Sequence, residues 1–129
     1  MSNKFKIEII SPEKKIFEEK AESVSIPAFE GEMTILYDHI ALITFLRPGI
    51  IKIYNGKETK FFVEEGTVEF SNNNLIILSS SIIEINTMTK EKISKILEDS
   101  KKELEKEDIT DKARYIISHK IDCLSEINL

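Results

Sequence analysis

Residues 27–49 read PAFEGEMTILYDHIALITFLRPG. Three turn signals punctuate this stretch: Glu30-Gly31-Glu32, Tyr37-Asp38-His39 and Arg47-Pro48-Gly49. Gly, Pro and Asp serve turns for different reasons, namely free φ, fixed φ and side-chain bonding to the local backbone. The runs between them, Met33 to Leu36 and Ile40 to Leu46, are apolar and of strand length. Closely spaced short strands separated by turn residues are the pattern of an all-β sandwich or barrel.

The same pattern extends outward in both directions. Phe5, Ile7 and Ile9 alternate with Lys6 and Glu8, giving one dry and one wet face. Ser11-Pro12-Glu13 turns the chain. Val24 and Ile26 alternate with Ser23 and Ser25, and Pro27 is expected to stop that strand. Ile50 to Tyr54 leads into Asn55-Gly56-Lys57, where Asn-Gly predicts a type I′ hairpin with positive φ at both positions. Phe61-Phe62-Val63 follows, then Gly66 as a bulge or tight bend, then Thr67 to Phe70. Asn72-Asn73-Asn74 turns into Leu75 to Leu78. The count is eight to ten short strands.

Near Asn86 the apolar period changes from 2 to 3.6. Thr87 or Thr89 caps a helix bearing Ile93, Ile96, Leu97 and Leu104. Lys106-Glu107-Asp108 interrupts it. Asp108 or Thr110 caps a second helix with Ala113, Ile116, Ile117, Ile121 and Leu124 on one stripe. The expected fold is α+β in two parts: a sandwich over residues 1–86 and an antiparallel helical hairpin over residues 87–129. Four large apolar residues on the first helix contribute roughly 1.5–3 kcal/mol each when fully buried. Backbone ordering costs about 1–2 kcal/mol per residue. The two helices therefore need each other, and the sandwich or a partner to pack against.

Composition narrows the function. The 129 residues are 41% hydrophobic and 32% charged, enough apolar material for a core. The net charge of −5 lacks the basic footprint that a phosphate backbone requires, so nucleic acid is not the expected partner. One cysteine, Cys123, excludes an internal disulfide framework. No apolar run approaches the roughly 20 residues of a membrane span, and no secretory leader is read at the N-terminus. Any membrane link is expected to be peripheral, through another protein.

No constellation for catalysis emerges. The four glycines are isolated turn residues, not a phosphate-cradling loop. His39 and His119 fall in different parts of the chain, and neither has a partner at metal-ligand spacing. Asp38 and His39 are neighbours, which on a strand would point them to opposite faces. Ser79-Ser80-Ser81 reads as a strand end, without the surroundings of a nucleophile. Cys123 reads as a small, partly buried hydrophobe beside the second helix's stripe. Glu18-Glu19 and Glu64-Glu65 read as edge or loop charges. No metal or cofactor is expected.

The ordered motifs carry more than any single residue does. Ile10-Ser11-Pro12-Glu13, Pro27-x-x-Glu30-Gly31, His39-x-x-Leu42, Leu46-x-Pro48-Gly49 and Phe61-Phe62-Val63 ahead of Gly66 together resemble the epsilon subunits of bacterial F-type ATP synthases. The resemblance covers residues 5–80 in motif and nearly the whole chain in architecture, since those subunits join a sandwich of about ten strands to a helical hairpin. Thr34, Tyr37 and Glu65 depart from the usual Gly, Pro and Gly. The resemblance implies a non-catalytic rotor subunit of a proton-translocating enzyme, joining the gamma shaft to the c-ring at the cytoplasmic face of the inner membrane. It implies Glu30, Gly31 and Glu32 as a c-ring contact and the His39 to Leu42 edge as an adjacent rotor contact. Beside this stand plainer readings: Glu30-Gly31 as a turn that geometry requires, and His39 as a surface loop residue. An unrelated sandwich that binds another protein through its helical tail is the alternative for the whole chain, and a small enzyme with a cleft beneath the hairpin is the third reading.

In some such subunits the hairpin extends toward the catalytic hexamer and brakes ATP hydrolysis, and in some it binds ATP through an Ile-Asp-x-x-Arg-Ala pattern. Here the first helix reads Ile93-Ser94-Lys95-Ile96-Leu97-Glu98-Asp99, without Asp or Arg at the required places, and the second helix has only Arg114. Phosphates would lack bidentate donors, and the brake is expected to be weak or absent. The isolated chain should accordingly give no saturable ATP heat in calorimetry; a micromolar dissociation constant would overturn this expectation.

Overall fold

A computed structural model of the chain describes residues 3–127. Ten strands come first: β1 (Phe5–Ile10), β2 (Lys15–Ala21), β3 (Ser23–Ala28), β4 (Gly31–Leu36), β5 (Leu42–Leu46), β6 (Gly49–Tyr54), β7 (Glu58–Val63), β8 (Gly66–Ser71), β9 (Asn74–Leu78) and β10 (Ile82–Glu84). A short 3-10 turn, Ile85–Thr87, leads into α1 (Lys90–Leu104) and α2 (Asp111–Ser125). The strands follow one hydrogen-bonded path, β10-β7-β6-β3-β5-β8-β9-β1-β2, with β4 beside β3. Every pairing is antiparallel except β1 with β9.

The path is narrowest between β3 and β5, where a single pair, Ala28 opposite Leu46, joins them. The sheet bends there, and its two five-stranded halves face each other. Alternation fills the space between them with Ile7 and Ile9 of β1, Val24 and Ile26 of β3, Ile51 and Ile53 of β6, Val68 of β8, and Leu75 and Ile77 of β9, all buried. Phe17 of β2 meets Phe61 of β7 edge to face at 5.3 Å, bringing the β2 end of the path against the strand next to its other end. A β-bulge between Ile9 and Ile10 shifts the register of β1 against β2.

Three local expectations change. Pro27 does not stop β3, which runs on to Ala28. Its ring instead lies against Gly49, where an added Cβ would sit 2.8 Å from Pro27 Cγ. The β6–β7 connection is not a two-residue type I′ turn. Tyr54 pairs with Glu58, leaving a three-residue loop in which Gly56 (φ 77°) has positive φ and Asn55 does not. The turn with two positive-φ residues is instead Asn72 (51°) and Asn73 (59°), between the paired Ser71 and Asn74. Gly66 is neither bulge nor bend: it stays in register with Leu46, and a Cβ there would lie 2.6 Å from the Leu78 carbonyl oxygen.

Of the alternative caps, Thr89 and Thr110 are the ones used. Thr89 Oγ1 accepts from the Lys92 amide and Thr110 Oγ1 from the Ala113 amide, each at 3.1 Å. Ile93 of α1 and Ile117 and Leu124 of α2 are buried, while Ile96, Leu97, Leu104, Ala113, Ile116 and Ile121 are half-buried. Ser100 is also buried, and its hydroxyl donates to the Ile96 carbonyl, so a polar residue fits inside the hairpin without an unpaired group.

The hairpin covers the outer face of one half of the sheet. Ile50, Phe62 and Ile83 stand side by side across β6, β7 and β10, because Ile50 pairs with Phe62 and Phe62 with Ile83. Met88, Ile93 and Leu124 pack onto this row. Lys120 of α2 adds an ion pair with Glu64 after β7. Leu124→Ala should cost about 2–5 kcal/mol of docking and act locally. Amide exchange should accelerate throughout α1 and α2 while the β-sandwich amides keep wild-type protection; uniform acceleration across both parts would contradict this picture.

Candidate functional site

The sequence-selected residues fall at two ends of one strand. Glu30, Gly31 and Glu32 lie at the start of β4, where the loop Phe29-Glu30 joins it to β3. Gly31 adopts φ 146°, a conformation that favours glycine, and both carboxylates are exposed. His39 and Leu42 lie beyond the other end of β4. That strand is six residues long, which at about 3.4 Å per residue separates the ends by roughly 17–20 Å. The structure therefore brings Glu30, Gly31 and Glu32 together, and His39 near Leu42, but it does not bring the two groups together.

The end bearing His39 is braced by hydrogen bonds. Asp38 has φ 62°, and the turn is closed by the His39 amide donating to the Leu36 carbonyl at 3.1 Å. Asn73 clamps Asp38 twice: its side-chain oxygen accepts from the Asp38 amide at 2.7 Å, and its side-chain nitrogen donates to Asp38 Oδ1 at 2.8 Å. The β4–β5 loop and the β8–β9 turn are thus one unit. His39 donates from Nδ1 to the Ile40 carbonyl at 2.8 Å and stands edge-on to Phe70. Asp38 and His39 make no dyad, because each is committed elsewhere by the turn. Leu42 is half-buried against the sandwich core.

Sequence reasoning missed the open face between these ends. Across β5, β8, β9 and β1, register aligns Phe45, Thr67, Leu78 and Ile10 in one outward row and Ile43, Glu69, Ile76 and Glu8 in the next. Ile43 is 76% exposed, Phe45 62% and Leu78 47%, with Ile40 at 79% just beyond the edge of β5. No element among the described residues covers them as the hairpin covers Phe62. The signal was present in Leu42-Ile43-Thr44-Phe45-Leu46: apolar residues at both parities belong to a strand covered on both faces.

A second missed cluster holds α2 to the Glu30 end. Arg47 donates from Nη1 to Tyr115 Oη at 2.9 Å, and Tyr115 donates to the Phe29 carbonyl at 2.9 Å. The same guanidinium nitrogen lies 3.3 Å from His119 Nε2. Tyr115 also packs on Phe29 and His119, with ring centroids 5.3 and 4.5 Å apart. Burial, and then the charge of Arg47, lower the His119 pKa, while Asp122 acts the other way. Beside this cluster a cleft of about 490 Å³ opens between sandwich and hairpin. Arg47, Lys52, Lys60, Asp122 and Glu126 line it with both signs of charge. Cys123 lies on the same wall, and burial pushes its thiol up to about 11, away from a reactive thiolate.

Among the described residues, no group of three or more His, Cys, Asp or Glu side chains is placed to hold a metal ion. No described helix is long and apolar enough to cross a membrane.

Residues 4–85 match the family described as "ATP synthase, Delta/Epsilon chain, beta-sandwich domain". The ATP synthase epsilon chain of Pelagibacter ubique is 49% identical over 130 residues, covering 99% of this chain and all of the relative. That of Allorhizobium ampelinum is 32% identical over 107 residues, covering 81% and 79%. In fold, the chain resembles one in the mitochondrial ATP synthase of Euglena gracilis, with a TM-score of 0.78 at 20% identity over 95% of this chain and 80% of that one. A chain of the central stalk and c-ring of the Tetrahymena thermophila enzyme gives 0.63 at 15% identity, covering 94% and 93%. With the family match spanning the whole sandwich and the nearly half-identical relative spanning the hairpin too, the chain belongs to the ATP synthase epsilon chain family.

Proposed function

We propose that the chain is the non-catalytic central-stalk subunit of a proton-translocating F-type ATP synthase, joining the gamma shaft to the c-ring and coupling ring rotation to ATP synthesis. The full-length likeness to an ATP synthase epsilon chain carries this reading, and it displaces the unrelated-module alternative. The protein is peripheral and works at the cytoplasmic face of the inner membrane.

The open face supports a division of parts. Ile43, Phe45 and Leu78 form the apolar surface that the shaft covers, as the hairpin covers Phe62. His39 and Leu42 adjoin that surface at the end clamped by Asp38 and Asn73. Glu30, Gly31 and Glu32 stand at the opposite end and supply the contact with the polar loops of the ring. The sandwich thus touches two partners with two surfaces. Residues 1–86 and 87–129 serve as separate working units: the sandwich couples, and the hairpin packs on its far side.

Binding to purified gamma separates these roles. Phe45→Glu places a charge in the apolar row and should weaken binding by at least about 2 kcal/mol, on the order of thirtyfold, with the circular dichroism spectrum unchanged. Glu30→Lys with Glu32→Lys should leave gamma binding intact and lower the fraction held on membranes with the assembled ring. Wild-type gamma affinity in Phe45→Glu would sink the assignment of the row. Truncation of residues 88–129 in the assembled complex addresses the brake. ATPase activity should stay near the wild-type level, and a several-fold rise would show that the hairpin inhibits.

A further inference from the structure

The Arg47, Tyr115 and His119 cluster has a hydrogen-bond arrangement that only one protonation state satisfies. A guanidinium has donors and no acceptor. Arg47 Nη1 directs its two hydrogens to Tyr115 Oη at 2.9 Å and His119 Nε2 at 3.3 Å. His119 Nε2 must therefore be the bare nitrogen of a neutral ring, with the proton on Nδ1. Tyr115 completes the chain by donating to the Phe29 carbonyl. Protonation of Nε2 would set two donors and two positive charges against each other, across the contact that joins α2 to the β5–β6 loop.

We propose that Arg47, Tyr115 and His119 form a proton-sensitive latch that tightens the hairpin on the sandwich while His119 is neutral and loosens it when His119 gains a proton. The latch involves only this chain's own residues, so it stands apart from the partners proposed above. It acts beside the hairpin's other attachments, the Phe62 row with its cover and the Lys120–Glu64 ion pair.

The charges around His119 favour this sense. From the sandwich, Arg47 of the β5–β6 loop faces it directly, and Lys52 of β6 and Lys60 of β7 line the same cleft, opposed by Glu32 of β4. From α2 itself come Asp122 and Glu126, together with Cys123 and Tyr115. Burial and Arg47 together outweigh Asp122, so the docked ring binds its proton less readily than the usual 6.5. The undocked state then binds more protons in the window below 6.5, and docking weakens as pH falls through it. Above 6.5 both states are neutral, and the latch contributes fully.

The test follows amide exchange in the full chain between pH 8 and pH 5, corrected for intrinsic exchange rates, together with the His119 ring resonances. His119 should titrate below 6.5, and α2 protection should fall over the same interval. The fall is bounded at about tenfold per pH unit, because one proton is linked. The β-sandwich amides should stay protected. His119→Gln keeps an acceptor for Arg47 without a titrating ring, so its hairpin should remain docked with a flat pH response. Any one of three results overturns the proposal: pH-independent α2 protection in the wild type, a His119 titration at or above 6.5, or a wild-type slope retained in His119→Gln, which would assign the response to another group.

Discussion

The outward row Ile50, Phe62 and Ile83 sets the terms for the rest of the molecule. A two-layered sheet buries only its inner faces, yet here the strands β6, β7 and β10 carry large apolar side chains outward as well. Phe62 is as buried as the inner core, and its cover comes from Met88, Ile93 and Leu124. Isolated helices of 12–15 residues are marginal in water, and α1 and α2 have fifteen each. The dependence is mutual: the row needs the hairpin to stay dry, and the hairpin needs the row to stay helical. A hairpin anchored by one patch can leave as a unit without disturbing the core behind it, because the inner face of the sheet is sealed by the opposing layer.

Much of this was legible in sequence, and the failures have physical causes. Alternation located the strands, and the change of period near Asn86 located the helices, because side-chain direction is fixed locally by backbone geometry. Turn identity was less readable. Asn55-Gly56 has the stronger preference for a two-residue turn, yet the register of β6 and β7 leaves three residues to be spanned. Asn72 and Asn73 take the positive-φ turn instead, and Asn73 is held there by Asp38, 35 residues away. Pro27 was read as a stop because it lacks a backbone donor. It stands where β3 has passed from pairing with β6 to pairing with β5, and its carbonyl still accepts from the Arg47 amide.

The site was legible in a different way. Motif order identified the family, but the motifs are mostly turn residues, and proximity along the chain does not say which end of a strand a turn occupies. Glu30 and His39 are nine positions apart and lie at opposite ends of β4 for that reason. Residues that build the open face, such as Phe45 and Leu78, belong to strands that pair through β8, so only register reveals their alignment. Departures from the family pattern are absorbed locally. Glu65, in place of a glycine, has a carboxylate that accepts from the Ser80 amide and the Ser80 and Ser81 hydroxyls, which makes a polar knot of the serines read as a strand end.

The open face and the hairpin, though on opposite outer sides, are fastened to the same short segment. Phe29 donates its amide to the carbonyl of Phe45, the most prominent aromatic of the open row, while its own carbonyl accepts from Tyr115 of α2. Arg47 donates its amide to Pro27 and its guanidinium to Tyr115, two residues along the chain from Phe45. The place where β3 hands over to β5 is thus also the place where α2 is gripped. That joint is narrow, a single Ala28–Leu46 pair flanked by these amides. A shift of β5 against β3 large enough to break the Phe29–Phe45 bond would displace the carbonyl that Tyr115 requires. Conversely, a hairpin that has left the sandwich removes the partners of Phe29 and Arg47, but not the bonds that hold β5 in place. The open face and the hairpin are therefore coupled through Phe29 and Arg47, and as a free energy that coupling is the same in both directions.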